Sequence, residues 1–262
     1  MEGAEGDGTF TKPIYENGKF KNPWKTWRET QGFKNLIKLM RSKDSSNIPN
    51  QTELDKILPV EKPDFDKLRA PPSDKIQVVW IGHATVLVQL DGITILADPI
   101  FSQRCSAVPM VGTKESWMTS MGCKNVVEMT WWDEEKFPDR GDITVACTPS
   151  QHFCNRSLTD FNKCLWASWV IKGPRHSFFF GGDTAYCEGW FMQNIHVNPE
   201  EAVQIHQDIK SQNSMGIHWG TFKMTSEFYL EPRQRLAEEV AKRGLKADSF
   251  YTLTHGRVHE VM

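Results

Sequence analysis

His152, Asp183 and His218 are the residues of this chain whose types and spacing can hold a metal ion. Each closes a hydrophobic, strand-like run. Ile143 to Cys147 leads to Thr148-Pro149-Ser150-Gln151-His152, Ser177 to Phe180 leads to Gly181-Gly182-Asp183-Thr184, and Ser214 to Ile217 leads to His218-Trp219-Gly220. Asp183 follows His152 by 31 residues and His218 follows Asp183 by 35, so each belongs to its own strand unit. Strand ends converge on one edge of a sheet, and neutral imidazole with carboxylate is the donor set that zinc takes in catalytic sites. Three donors suit one ion. The local His-x-His-x-Asp-His cluster that completes two-metal hydrolases is nowhere in the sequence.

Taken singly, each residue also has an ordinary reading. A histidine after a strand is commonly structural, an aspartate after two glycines is a common turn residue, and His218 beside Trp219 suits a core. Their shared place at strand ends favours a site, because sheet proteins build sites there. His83 in Gly82-His83-Ala84-Thr85 and Asp98 in Ala97-Asp98-Pro99 flank a hairpin and are candidates to support the donors from behind. His196 and His255 are further candidates. His206 faces the core side of a helix, and His176 and His259 carry no signal.

The elements that must position these residues begin at Ile76. Ile76 to Ile81 is strand-like. Val86 to Leu90 and Ile93 to Ala97 form a hairpin around Asp91-Gly92, a dipeptide suited to a two-residue turn. Further strands are expected at Asn125 to Met129, Ile143 to Cys147, Leu165 to Ile171, Phe178 to Phe180, Met215 to Ile217 and Phe250 to Leu253. Asn198-Pro199-Glu200-Glu201 reads as a helix start, with Ala202, Ile205, His206 and Ile209 on one face. A second helix over about Glu231 to Arg243 stops at Gly244. Hairpins followed by alternating strands and helices predict a mixed α/β sandwich.

Residues 1–74 read as an N-terminal extension and 75–262 as the main domain. The extension carries a Pro-rich stretch and a run from Phe33 to Met40 flanked by Lys34, Lys38, Arg41 and Lys43. That run is either a basic amphipathic helix on a membrane or a helix packed on the main domain. The net charge of -2 gives no general drive toward nucleic acid. No apolar stretch is long enough to span a bilayer, and the acidic start lacks the pattern of a signal peptide, so a location on the cytoplasmic side without secretion is expected. The six cysteines form no C-x-x-C pair and read as reduced thiols. Ten tryptophans serve either as buried anchors or as a surface against lipid or a partner.

Five segments together carry a family resemblance: Trp80-Ile81-Gly82-His83-Ala84-Thr85-Val86, Asp98-Pro99-Ile100-Phe101-Ser102, Thr148 to His152, Phe179 to Thr184, and Ile217 to Phe222. They resemble the N-acylphosphatidylethanolamine-hydrolysing phospholipase D family of the metallo-β-lactamase fold superfamily. Trp131-Trp132, Cys187 and Tyr229-Leu230-Glu231-Pro232 extend the match, which runs from about Asn22 to His255. The resemblance implies an αββα sandwich with two zinc ions at one edge. It implies that His152 binds one zinc, Asp183 bridges both, His218 binds the other, and His196 is a catalytic residue near the lipid head group. The implied reaction releases phosphatidic acid and an N-acylethanolamine from a membrane phospholipid. The implied setting is the face of internal membranes, as a homodimer with an apolar groove that also takes bile acid.

The chain departs from the family pattern at two clean junctions. It passes from Lys114 directly to Glu115, where the family has a strand, a helix and the His-x-His-x-Asp-His loop, and from Glu188 directly to Gly189, where the family has another helix and strand. Sharp flanking motifs point to a spliced or incomplete form rather than gradual decay. The expectation is an incomplete sandwich with fewer than two zincs, or none, and little activity. The alternatives are a non-catalytic lipid-binding or dimerising isoform and a superfamily hydrolase of another ester.

Overall fold

Asp91 (φ 46°) and Gly92 (φ 81°) both take left-handed backbone, as a two-residue hairpin turn matched to strand twist requires. The computed structural model describes residues 10–27, 49–99, 118–119, 122–154, 160–186, 196–221 and 228–261. Its first strands are β1 (Ile14–Glu16), β2 (Lys19–Lys21), β3 (Ile76–Gly82), β4 (Thr85–Leu90), β5 (Ile93–Ala97) and β6 (Glu134–Phe137). They are followed by β7 (Arg140–Thr148), β8 (Ser168–Lys172), β9 (Ser177–Phe180), β10 (Ser214–Gly216), β11 (Phe250–Thr252) and β12 (Val258–Val261). The helices are α1 (Gln51–Ile57), α2 (Phe65–Arg69), α3 (Pro199–Asp208) and α4 (Glu231–Lys242).

Two antiparallel four-stranded sheets, in the orders β12-β3-β4-β5 and β6-β7-β8-β9, share one core. Val78, Trp80, Val86, Val88, Leu90 and Ile93 from the first sheet meet Ile143, Ile171 and Phe180 from the second. Trp80, Val88 and Ile143 are fully buried, and truncating such a side chain to alanine costs about 2–5 kcal/mol. The first sheet is buried on its other face as well. Gln77 donates to Gln89 Oε1 (2.7 Å) and to Lys67 O, and Gln89 donates to Leu68 O, so two buried amides satisfy carbonyls at the end of α2.

Asp91 fastens the two sheets together at the hairpin end. Its carboxylate is fully buried and accepts from Arg175 N (3.1 Å), His176 N (3.0 Å), Arg175 Nε (3.1 Å) and His176 Nδ1 (2.8 Å), all on the β8–β9 turn. Arg140 donates to the Asp91 carbonyl. Burial works against this charge, but the bonds from His176 and Arg175 win and hold the pKa down to about 2.

β10 and β11 form a separate parallel pair. α4 connects them and packs with α3 around Val203, Leu236, Val240 and Phe250. Among the described residues, β5 ends the first sheet, β9 ends the second, and β10–β11 pair only with each other.

Some expectations shift. Asn125 to Met129 carries no strand. The chain there leads to Trp131, which is buried against Cys147 and Trp166, and the sheet is joined only from Glu134. The buried face of α3 runs through Val203 and His206, while Ile209 is 45% exposed, because Val203 is the residue aimed at α4 and β11. The run from Phe33 to Met40 and both junctions lie outside the described residues. The four described cysteines are free thiols. Among the described residues no helix is long and apolar enough to cross a membrane.

Candidate metal centre

The three strand ends meet. β7 delivers His152, β9 delivers Asp183, and β10 delivers His218. His218 Nε2 lies 3.1 Å from Asp183 Oδ1, and His152 Nε2 lies 4.0 Å from Asp183 Oδ2. His196 joins them, with Nε2 also 4.0 Å from Asp183 Oδ2. The imidazole centroids of His152 and His196 are 5.2 Å apart and those of His196 and His218 are 5.0 Å apart. Three imidazoles therefore surround one carboxylate.

Backbone hydrogen bonds hold the four segments in register. Gln151 N donates to Thr184 Oγ1 and Ala185 N donates to Gln151 O, tying the His152 segment to the Asp183 segment. Val197 N donates to Thr184 O (2.8 Å), which sets His196 beside Asp183. Asn198 then caps α3 by accepting from Glu201 N while Glu201 accepts from Asn198 N, so His196 stands two residues before a fixed helix start. His218 N donates to His83 O (2.9 Å), joining β10 to the first sheet. An N-terminal strap closes over the His152 loop: Asn22 donates to His152 O, Trp24 to Ser150 O, and Thr26 to Gln151 Oε1.

The supporting candidates lie close to the cluster. The His83 ring lies 3.8 Å from that of His218, centroid to centroid. Thr85 donates to Asp98 O, and the Asp98 carboxylate lies beside Gly182. His83 (φ 51°), Asp98 (φ 41°) and His218 (φ 73°) all adopt left-handed backbone, a conformation that costs on the order of 1–3 kcal/mol per residue and collects at functional sites. His255 has a different place. It is buried, stacked on Trp80 at 3.8 Å, and within reach of Thr221, whose hydroxyl also accepts from His83 N. It is a packing residue that steadies the first sheet.

Electrostatics keep the cluster ready for a cation. Burial would raise the pKa of Asp183, but the approach of His218 and the fields of His152 and His196 hold it below the usual carboxylate range. Burial, reinforced by His218 and His152, pushes His196 down to about 4. Burial likewise lowers His83. Neutral imidazole and ionised carboxylate are the forms that bind metal. Asp183 Oδ1 and His218 Nε2 are buried and close, yet neither completes an aligned hydrogen bond. His152, Asp183 and His196 each offer a ligand atom within 4.8 Å of the others. These three fit a single divalent ion, while His218 stands at the other carboxylate oxygen. A second ion would need donors beyond these four.

What sequence reasoning missed lies at the other end of β5. His176 is a direct partner of Asp91, 85 residues away in the chain. A polar histidine in a turn gives no local sign of that bond.

Known proteins resemble this chain. A family model described as a beta-lactamase superfamily domain matches residues 105–193. The N-acyl-phosphatidylethanolamine-hydrolyzing phospholipase D 1 of Caenorhabditis elegans is 30% identical and covers 97% of this chain and 96% of its own. Its alignment runs over 343 positions against 262 residues here, so at least 81 positions of the alignment have no residue in this chain. The mitochondrial N-acyl-phosphatidylethanolamine-hydrolyzing phospholipase D of Saccharomyces cerevisiae is 24% identical over 91% of this chain and 75% of its own. A metallo hydrolase of the archaeon Ignicoccus hospitalis, 13% identical, covers 72% of this chain and 99% of that one with a TM-score of 0.49.

Proposed function

The chain belongs to the N-acyl-phosphatidylethanolamine-hydrolysing phospholipase D family, with its metallo-β-lactamase-type fold, and we propose that its site is the retained part of a zinc centre that hydrolyses N-acylphosphatidylethanolamine to phosphatidic acid and an N-acylethanolamine. The observation that carries this reading is the meeting of His152, Asp183 and His218 beyond the ends of three strands in a chain matched along almost its whole length by such a relative. His152, Asp183 and His218 hold the metal. His196 faces the lipid head group, and His83 and Asp98 set the orientation of the donors. When bound, such an ion supplies Lewis acidity to the phosphodiester and lowers the pKa of water.

The protein's own groups do the rest. Asp183 keeps its charge despite burial and draws the cation in. His196 stays neutral at pH 7, so its ring can accept a proton or a hydrogen bond from the head group. The left-handed turns at His83, Asp98 and His218 fix side-chain directions, and Trp80 and Trp219 pack against each other behind them.

We further propose that the absent positions fall after Lys114 and after Glu188, that they include donors for a second zinc, and that turnover by this chain is therefore low. Among the described residues, β10–β11 pair only with each other and β5 and β9 end their sheets, which supports this placement. The chain would act on the cytoplasmic side of internal membranes, with residues 1–74 as the extension that touches lipid. Homodimer formation and bile-acid binding are proposed on the family resemblance alone. A second reading, a non-catalytic lipid-binding or dimerising isoform, is favoured by exposed Phe10, Tyr15, Trp132 and Phe161 on a chain whose sequence has no His-x-His-x-Asp-His cluster.

The test is an assay of N-acylphosphatidylethanolamine hydrolysis in mixed micelles, run beside the C. elegans relative. The expected result is product from the relative and turnover orders of magnitude slower from this chain. Equal turnover would overturn the account of the absent segments, and hydrolysis of another ester in place of this lipid would overturn the substrate.

A further inference from the structure

The family reading leaves His196 as a residue that meets the substrate, yet its ring stands no farther from Asp183 than His152 does. Each presents Nε2 at 4.0 Å from the same carboxylate oxygen, Oδ2, while His218 approaches the other oxygen at 3.1 Å. The His196 ring sits between those of His152 and His218, about equally far from both. Its place is set by the bond from Val197 N to Thr184 O and by the capped start of α3, two fixed features on either side of one short segment.

We propose that, in this chain, His196 is a metal ligand in the substrate-free state, so that His152, Asp183, His196 and His218 together form a closed one-metal site. This rests on the proposed reading of the cluster as a zinc centre and deepens it. The chemical reason is the count of donors. Catalytic zinc keeps three protein ligands and leaves a fourth position open, whereas four protein ligands make a closed, structural site. Three imidazoles and one carboxylate supply four. Asp183 Oδ2 with His152 and His196 supplies three of them within reach of one ion, and His218 at Oδ1 is the fourth. A closed site holds its ion more tightly than three donors would, and it disfavours substrate until His196 leaves. Low turnover in this chain then has two sources, a missing second ion and an occupied fourth position.

Cobalt(II) tests this without any assay of activity. Cobalt is titrated into the purified full chain, into His196→Ala and into His196→Cys, with the visible spectrum recorded at each addition. The proposal expects one cobalt per chain with the strong visible absorption of a four-coordinate ion. It expects His196→Ala to bind at least about tenfold more weakly, since even residues one step removed from a metal change affinity by about 10–100-fold. It expects His196→Cys to show a thiolate-to-cobalt charge-transfer band that the parent chain lacks, which a residue of merely structural role could not produce. Circular dichroism confirms that each variant is folded. Unchanged affinity and spectrum in His196→Ala, with no such band in His196→Cys, would overturn the role of His196 while leaving the metal centre standing. Absence of cobalt binding in the parent chain would overturn both.

Discussion

Replacing Asp91 by asparagine removes one charge from the fastening between the two sheets while keeping the side chain's size and a residue type that tolerates left-handed backbone. The native carboxylate is fully buried and accepts four hydrogen bonds from Arg175 and His176. Those bonds lower its pKa from 3.8 to about 2. A shift of nearly two units corresponds to about 2.4 kcal/mol at most, at 1.36 kcal/mol per unit. The Arg175 side chain is half exposed, and solvent screening of that partner trims the figure to about 1–2 kcal/mol. The sign follows from a folded pKa below the unfolded one. The contribution is fully present above pH 3.8 and is lost as the pH falls toward 2. Urea unfolding of the parent chain and of Asp91→Asn at pH 7 should therefore differ by about 1–2 kcal/mol, and the gap should narrow steadily between pH 4 and pH 2.5. Equal stability at pH 7, or a gap that does not change with pH, would refute the reasoning.

Two further outcomes are expected. Asn198→Ala removes the cap of α3 and should cost about 1 kcal/mol in urea unfolding; because His196 precedes the cap, the same change should also loosen metal binding, read by competition with a chelator. In the metal-free chain, His196 is held down to about 4 by burial and by His218 and His152; the unfolded chain takes up its proton near pH 6.5, so stability should fall as the pH drops from 6.5 toward 4, and the pH dependence in that interval should flatten in His196→Gln.

How much of this could be read from the sequence depends on the range of the interactions. The Asp91-Gly92 turn and the Asn198 cap were legible because each depends on a few adjacent residues. The meeting of His152, Asp183 and His218 was legible because each follows a strand-like run, and strand ends are brought together when sheets pack. β6 was not, because Glu134-Glu135-Lys136 is a charged, exposed edge strand with no apolar alternation. β12 is a four-residue strand whose partner β3 lies 179 residues earlier in the pairing of Val258 with Val79, sequence-distant and short. The bond of His176 to Asp91 has the same character: both residues look like turn residues, and only the stacking of the sheets joins them. His196 was recognisable as an active-site residue by resemblance, but its equal standing with His152 beside Asp183 is a fact of three-dimensional packing.

The central claim is that this chain keeps one half of a two-metal centre, and the most direct measurement is metal content per chain. Purified, monodisperse protein is saturated with zinc, freed of excess by gel filtration, and analysed for zinc and for protein on the same sample. The account predicts no more than one zinc per chain, removable by chelator and absent from Asp183→Asn. Two firmly held zinc ions per chain would contradict it, because Asp183 and the three histidines around it could not account for the second.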